Sequence, residues 1–286
     1  MKRLFFYGVL ILTMMLLVRC SSQKKLAPAR APYRIISFYT GINDQAHVSF
    51  VKEANAWFAA QGPANGFVYD TTSDWNRMTD SFLNRYDVVM FLDTRPPKPA
   101  QREAFERYMR TGGGWMGFHF AAFALTPSAY PQDWNWYHQE FLGSGNYRSN
   151  TWRPTPAVLK LEDRSLYDLP AVDTFTSGAN EWYSWENDLR KNDSIRILLS
   201  IDPISFPLGT GPKQHEIWRE GYYPVAWSNL FYNMIYFNLG HNDIDYEGGT
   251  NKTLSATFGH STQDSLILTT FRKIAERSVR DRHKAR

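Results

Sequence analysis

The chain of 286 residues contains a single cysteine, Cys20, close to its N-terminus. The body that follows can form no internal disulfide and has no thiol that could act as a nucleophile. The chain also lacks a convincing membrane span, because its apolar run from Leu4 to Val18 is too short and wrongly flanked. These absences exclude disulfide-stapled scaffolds and cysteine-dependent hydrolases.

The N-terminal segment has the order of a secretory signal. Lys2 and Arg3 precede the apolar run, and Cys20 with two serines follows it. This order resembles a bacterial lipoprotein signal, in which the cysteine is lipidated and becomes the new N-terminus. Arg19 departs from the small residue usual at that position, and a retained N-terminal anchor is the alternative. In both cases we expect an exported protein, held at the membrane in the periplasm or at the cell surface.

Charge gives little sign of a nucleic-acid partner. The formal net charge is +4, but the basic residues are concentrated in the signal and in the segment from Arg272 to Arg286. The remainder of the chain is therefore mildly acidic. A basic binding surface is not expected in the body, and neither is a nucleic-acid partner.

Strand-like and helix-like segments alternate in the first half of the chain. Short apolar runs predict strands, and apolar residues at helical spacing predict helices. The predicted strands are 34–40, 66–69, 86–93 and 115–120, and the predicted helices are 47–61, a short one ending at 82–83, and 95–114. Strands alternating with helices predict an α/β fold with a doubly wound, mostly parallel sheet and helices on both faces.

The domain plan is simple. We expect a signal peptide over 1–20, a small, basic, proline-containing tether over 21–32, and one α/β domain over 33–282. The second half predicts further strands and a closing helix, after a loop-rich insertion around 125–155. These strands are 155–161, 194–201, 223–227 and 234–241, and the helix is 263–282.

Two histidines end predicted strands. In an open α/β sheet, ligands bind outside the carboxyl ends of the strands. His119 and His241 both lie at such ends, so we expect their side chains at the same edge. A sharp turn after its strand would present His119 as a nucleophile elbow presents a serine.

A carboxylate and a third imidazole complete the candidate site. His47 lies near the end of the first strand, and Glu181 lies in the segment NEWYSW. Imidazoles with a carboxylate suit a divalent metal such as zinc with an open position, and His47, His119, His241 and Glu181 are the candidate ligands. The same groups suit acid–base chemistry, with His119, His241 and Glu181 as catalytic candidates. Asp44 either adds a further ligand or caps the following helix, and capping is the preferred interpretation.

Aromatic residues supply candidate substrate contacts. Trp134 lies in DWNWYHQEF, and Trp182 and Tyr183 lie in EWYSWEN, both beside acids and amides. Flat apolar faces next to polar groups suit sugar rings. Asp93 follows a strand directly and is a further candidate. The alternative for the tryptophans is a place in the core.

Several segments together resemble a known family. The segments QREAFERYMRTGGGWMGFH (101–119), DWNWYHQEFLG (133–143), NEWYSW (180–185), PVAW (224–227) and YFNLGHN (236–242) resemble the ThuA-like (trehalose-utilisation) family. The resemblance implies the flavodoxin-like fold of the class I glutamine amidotransferases and a part in sugar metabolism. In those amidotransferases the elbow residue is a cysteine. His119 stands there in this chain, which excludes glutamine hydrolysis through a thiolate. Family members commonly carry a histidine after the FLG segment, where this chain has NYRSN (146–150).

Three functions remain open at this point. The first is an enzyme acting on a glycoside or sugar derivative. A glycosidase of the usual kind needs two carboxylates, and Glu181 has no evident second, so lyase, isomerase and metal-assisted hydrolase chemistry are the options. The second is a non-catalytic sugar-binding or accessory module. The third is a structural lipoprotein.

Overall fold

The structure is a computed structural model that describes residues 32–42, 44–151, 153–165, 171–205 and 221–284. The signal peptide and almost all of the tether fall on residues 1–31, which lie outside the described residues. Pro32–Arg286 forms one compact unit. Within the described residues, no helix has both the length and the apolar character that a bilayer crossing requires.

The described elements follow one another in the mixed order that the sequence predicts. The helices are α1 (Gln45–Asn65), α2 (Asp80–Leu83), α3 (Pro99–Arg110) and α4 (Ser261–Lys284). The strands are β1 (Tyr33–Phe38), β2 (Phe67–Thr72), β3 (Val88–Phe91), β4 (Gly114–Phe118), β5 (Tyr147–Asn150), β6 (Val158–Leu161), β7 (Thr174–Thr176), β8 (Tyr183–Trp185), β9 (Ile195–Ile201), β10 (Pro224–Asn229), β11 (Met234–Phe237), β12 (Asp243–Ile244) and β13 (Thr253–Ser255).

A nine-stranded sheet forms the centre of the molecule, in the order β2-β1-β3-β4-β11-β10-β9-β6-β7. The five strands from β2 to β11 pair in parallel, and the four that follow add in antiparallel fashion. Of these four strands, β9 and β7 run in the same direction as the five parallel strands, and β10 and β6 run in the opposite direction. The sheet is therefore mostly parallel in direction, as predicted, but only its first five strands are paired as a parallel α/β sheet.

The antiparallel half has a physical cause in the chain. Parallel neighbours need a long crossover, usually a helix, whereas antiparallel neighbours can be joined by a short turn. Among the described residues, no α-helix lies between α3 and α4, and the helical segments there are short 3-10 or π-helical turns. β10 and β11 are joined by four residues, 230–233. β10 and β11 are therefore joined as a hairpin, whereas longer segments, 162–173 and 202–223, lead from β6 to β7 and from β9 to β10.

Alternating residues of a strand pack into two separate cores, one on each face of the sheet. On β3, Val88 and Met90 pack with α1 and α4, whereas Val89 and Phe91 pack with α2 and α3. This alternation follows from the two-residue period of a strand. Helices consequently cover both faces, which accounts for the continuous apolar runs that the sequence shows.

Gly114, the first residue of β4, allows close packing against the last helix. A Cβ built on Gly114 would lie 2.6 Å from Cγ2 of Ile274 in α4. Only glycine fits at this contact. The amino end of β4 therefore packs directly against α4.

Most of the long predicted elements are confirmed, with boundaries that shift by a few residues. The differences lie in the second half and in the insertion. The region around 125–155, predicted to be loop-rich, contains a π-helical turn (Trp136–Phe141) and β5. β7, β8, β12 and β13 are two or three residues long, too short for a periodic pattern to reveal them.

Candidate functional site

Four separated parts of the chain meet at the carboxyl edge of the parallel strands. His119 follows β4, and the segment with His241 follows β11, which pairs in parallel with β4. His47 lies in the first turn of α1, which begins above the end of β1, and Glu181 lies just before β8. The structure thus brings together all four residues that the sequence offers as metal ligands.

His119 has the backbone conformation of a sharp turn. Its φ is 38°, in the left-handed region, and it begins a short 3-10 helix (His119–Ala122). Such a conformation costs a non-glycine residue on the order of 1–3 kcal/mol and persists only where the surroundings hold it. The hydroxyl of Tyr236 donates to the carbonyl of His119 over 2.7 Å, and the Tyr183 ring lies 4.0 Å from the His119 ring, centroid to centroid.

The three imidazoles form a compact triangle. The ring centroids are separated by 5.5 Å for His47 and His119, 5.0 Å for His47 and His241, and 5.3 Å for His119 and His241. Within the described part of the chain, four of their ring nitrogens are buried without a hydrogen bond: Nε2 of His47, both nitrogens of His119 and Nδ1 of His241. Buried polar atoms normally have partners, so this triangle has unused coordinating capacity.

Burial governs the protonation of the triangle. It lowers the pKa of all three imidazoles, and for His119 the neighbouring His47 lowers the pKa further. The pKa of His241 falls to about 4, although the Glu181 carboxylate opposes this shift. The rings are therefore neutral near pH 7, which is the state in which imidazole binds a metal.

Glu181 joins two of the imidazoles. Its Oε2 lies 3.4 Å from Nε2 of His119 and 3.7 Å from Nε2 of His241. The other oxygen, Oε1, accepts a 2.6 Å hydrogen bond from the amide of Asn150. Burial raises the pKa of Glu181, against the opposing effects of His241 and His47. The NYRSN segment thus reaches the site through Asn150, which holds the carboxylate in place.

Asn180 fixes Glu181 relative to His241. Its side-chain oxygen accepts from the backbone N–H groups of Gly240 and His241, both at 3.1 Å. Its amide nitrogen donates to the carbonyl oxygens of Glu181 and Asn238. The two candidate residues are therefore held by one buried side chain, Asn180, which precedes Glu181 in the sequence.

Asp44 has a second role besides the expected cap. Its Oδ1 accepts from the backbone N–H of Ala46 over 2.8 Å and so caps α1. Its Oδ2 lies 3.9 Å from Nε2 of His241. Burial acts to raise its pKa, but His47, His241 and hydrogen bonds from Tyr246 and Ala46 outweigh burial and lower it.

These groups match the donor set of a divalent metal. One ligand atom from each of Asp44, His47 and His241 lies within 4.8 Å of the others, and His119 and Glu181 adjoin them. Imidazole nitrogens and carboxylate oxygens are the usual ligands of catalytic zinc. The unpartnered ring nitrogens are what such an ion would satisfy. The residues present therefore fit a divalent ion.

A cavity of about 540 Å³ adjoins this cluster. Asp44, Glu181 and His241 form part of its wall, and the β12–β13 hairpin forms another part. Its lining is rich in carboxylates, with one arginine, and the remaining lining residues are Arg153, Pro154, Asp243, Ile244, Asp245, Tyr246, Glu247 and Leu254. The cluster is thus accessible to a small polar molecule.

Of the four proposed substrate contacts, the structure brings only Tyr183 to the imidazoles. Trp182 is fully buried in one core, and Trp134 is buried in the other, where its indole N–H donates to Glu106. Neither offers an exposed face for a sugar, because the core around each ring already covers it. Asp93 is also buried, and its carboxylate accepts from the backbone N–H groups of Thr40 and Gly41.

Sequence reasoning missed two contributors to the site, Asn150 and Tyr246, and it preferred capping to metal ligation for Asp44. Asp44 and His47 are three residues apart across a helix start, so one turn places both on the same side of α1. That spacing was a usable signal. Asn150 and Tyr246 come from a short strand and a hairpin loop, where no local pattern marks them.

The family model described as trehalose utilisation, ThuA, matches residues 36–256. The chain belongs to the ThuA family. Its structure is similar to that of a ThuA-like protein from Bacteroides uniformis ATCC 8492, with 33% identity, a TM-score of 0.71, and coverage of 87% of this chain and 94% of the other. A ThuA-like protein from Parabacteroides merdae ATCC 43184 shares the fold at 18% identity, with a TM-score of 0.58 and coverage of 85% and 90%. No match was found among curated proteins.

Proposed function

We propose that this ThuA-family protein acts on a glycoside or sugar derivative through a divalent metal held by His47, His119, His241 and Glu181, with Asp44 as an additional ligand. Membership of a family described as trehalose utilisation supports a part in carbohydrate use. The observation that carries the proposal is the triangle of neutral, buried imidazoles beside two carboxylates and an accessible cavity.

The bound ion would polarise a substrate oxygen and lower the pKa of a water molecule. The residues of the chain hold that arrangement in place. In the acid–base alternative, in which Glu181 is not a ligand, Asn150 and Asn180 fix this residue so that Oε2 can accept or return a proton. The Tyr183 ring closes one side of His119 and keeps water from it. Metal-assisted hydrolysis, elimination and isomerisation all use such a site.

The fold supports a relation to the class I glutamine amidotransferases, and we propose the flavodoxin-like arrangement for the parallel half. The strand order β2-β1-β3-β4-β11 and the turn at His119 support this placement. His119 then stands where the cysteine of those enzymes stands. No cysteine follows Cys20 in the chain, so thiolate chemistry is not part of the proposal.

The first test is the metal content of purified residues 21–286 and of two variants. We expect close to one divalent ion per chain in the parent protein, loss of that ion in His119→Ala, and retention in His260→Ala. His260 is a half-buried histidine whose ring nitrogen contacts the carbonyl of Ala256 outside the site. A parent protein that binds no zinc, manganese or iron after dialysis against each ion would overturn the metal site.

A product screen separates an enzyme from a binding module. Incubation with trehalose and a panel of glucosides, followed by mass spectrometry, should give a product that depends on His119 and Glu181. Saturable sugar binding without any product would favour the non-catalytic accessory module instead. Neither binding nor product would contradict both functions.

We also propose that the protein is exported and anchored through a lipid on Cys20. The signal-like order of the first twenty residues supports this. The Cys20→Ser variant should move from the membrane fraction to the soluble fraction and lose incorporation of labelled palmitate. If both proteins associate equally with the membrane and neither incorporates labelled palmitate, a retained N-terminal anchor is favoured.

A further inference from the structure

The β12–β13 hairpin follows His241 almost directly and forms one wall of the 540 Å³ cavity. Two of its large apolar side chains are exposed there: Tyr246 retains 51% of its surface and Leu254 retains 63%. Large apolar side chains at the mouth of a polar cavity suggest contact with a ligand. The hairpin was not part of the site that the sequence predicted.

The hairpin is fixed to α1. The side-chain amide of Asn242 donates to Ser49 and Glu53 of α1, and its oxygen accepts from the backbone N–H and the hydroxyl of Thr257. Ser49 also shares a 2.8 Å hydrogen bond with Thr253 of β13. Both ends of the hairpin are thus tied to the helix that carries His47, so the wall is held in place.

Tyr246 connects this wall to the candidate ion ligand Asp44. Its hydroxyl donates to Oδ1 of Asp44 over 2.8 Å and accepts from the backbone N–H of Ala46 at 3.2 Å. Oδ1 is therefore occupied by Tyr246 and by the helix cap, while Oδ2 is the oxygen that faces His241. The hydroxyl and the Ala46 N–H together fix which oxygen of the carboxylate is presented to the imidazoles.

We propose that Tyr246 serves the site in two ways, resting on the proposed metal-dependent function. Its hydroxyl is a positioning group that holds Asp44 for the ion, and its exposed ring is the surface on which a sugar ring packs. Partners behind a metal ligand typically contribute 10–100-fold to metal affinity. Aromatic faces bind the apolar C–H faces of a ring, and nearby carboxylates accept its hydroxyls.

The charge of the cavity wall defines the class of sugar. Besides Asp44 and Glu181, the wall carries Asp243, Asp245 and Glu247, and its one arginine, Arg153, is paired with Glu247. The wall remains negative even with a divalent ion in place. Phosphorylated sugars and uronates are therefore repelled, and the ligand is a neutral sugar.

The experiment compares the full chain with Tyr246→Phe, Tyr246→Ala and the control Tyr222→Phe. Tyr222 lines a different cavity. Zinc affinity is measured by competition with a chelator, and the site is monitored by the absorption spectrum of the cobalt-substituted protein. Tyr246→Phe should bind zinc about tenfold more weakly, with an altered cobalt spectrum, whereas Tyr222→Phe should match the parent. Ala46 keeps its bond to Asp44 in Tyr246→Phe, so the cap of α1 survives.

Sugar binding at saturating zinc tests the ring. Trehalose, methyl glucoside and methyl glucuronide are the probes. Tyr246→Phe should bind the two neutral sugars as the parent does, Tyr246→Ala should lose them, and the glucuronide should bind to none of the proteins. Binding of the glucuronide, or no saturable binding of either neutral sugar to the parent, overturns this part of the proposal.

The outcomes also separate this inference from the proposed function. A parent protein that binds no zinc removes the proposed metal site itself. A parent that binds zinc, with Tyr246→Phe equal to it in affinity and cobalt spectrum, leaves the metal site standing and removes only the positioning role of Tyr246.

Discussion

At the scale of single residues, His119 combines a costly backbone conformation with a place at the centre of the site. The left-handed φ of 38° is costly for any residue with a Cβ. The fold holds it there with the Tyr236 hydrogen bond and complete burial. Strain of this kind is found where a side chain must be aimed at a ligand.

The strain is measurable by comparing two variants that both remove the imidazole. Glycine adopts the left-handed conformation freely, whereas alanine does not, so we expect His119→Gly to be more stable than His119→Ala by about 1 kcal/mol. Urea unfolding of the metal-free proteins measures the difference. If alanine were equally stable or more stable, His119 would carry no conformational strain.

At the scale of elements, one side chain at the start of α1 both caps the helix and faces the candidate site. Asp44 caps the helix through Oδ1 and faces His241 through Oδ2. Asp44→Asn retains the accepting oxygen, so its stability should remain within about 0.5 kcal/mol of the parent, whereas Asp44→Ala should lose about 1 kcal/mol. Zinc affinity should fall in both variants, because the carboxylate charge is gone.

Thermal unfolding and zinc competition on the same samples separate the two roles. A loss of zinc affinity in Asp44→Ala alone would mean that capping, and not charge, is what the site requires. Equal stability of all three proteins would instead remove the cap as a contributor to the fold.

The loop between β1 and α1 depends on Asp93. Its two oxygens accept from Thr40 and Gly41, and burial raises its pKa. Asp93→Asn replaces one acceptor by a donor facing an N–H group, so we expect a loss of about 2 kcal/mol of stability. Asp80→Asn, at an exposed ion pair with Arg107, is the control and should cost less than about 1 kcal/mol. If Asp93→Asn left the stability unchanged but weakened sugar binding, Asp93 would be a substrate contact, as the sequence suggested.

At the scale of the whole molecule, buried histidines link stability to pH. His138 is fully buried in the π-helical turn, and its Nδ1 lies 3.1 Å from the carbonyl of Trp134. Burial, with the charge of Arg95, lowers its pKa to about 3. The unfolded chain binds a proton near the ordinary value of 6.5, so the unfolded state gains protons first as the pH falls. The stability that His138 contributes is therefore fully present above about pH 6.5 and is lost progressively as the pH falls towards 3.

We therefore expect the metal-free protein to lose stability as the pH falls from 6.5 to 4. His138→Asn keeps a donor for Trp134 and cannot be protonated in this range. The unfolding free energy of this variant should change with pH less steeply than that of the parent, by up to about 1.4 kcal/mol per pH unit. Urea unfolding at a series of pH values checks the difference, and parallel slopes would show that His138 does not titrate on unfolding.

The first half of the fold was predictable because local patterns and topology agree there. Segments with the period of a strand alternate clearly with segments with the period of a helix from 34 to 120. In a sheet of parallel strands joined by helices, ligands bind at the edge formed by the carboxyl ends of the strands. That rule, together with the family resemblance, is what pointed to His119 and His241 as candidates. The antiparallel half was not predicted, because its pairing depends on how short strands return to the sheet and not on their own residues.

The sequence by itself determined the α/β class, the alternation that builds two cores, the absence of a thiol in the body, and the residues that end the parallel strands. These follow from local period and composition. Only the tertiary structure decided that Asp44 faces the imidazoles, that Asn150 and Tyr246 hold the carboxylates, and that Trp134 and Trp182 are core residues. Each of these depends on a contact between segments far apart in the chain, and such contacts are set by packing that leaves no periodic trace in the sequence.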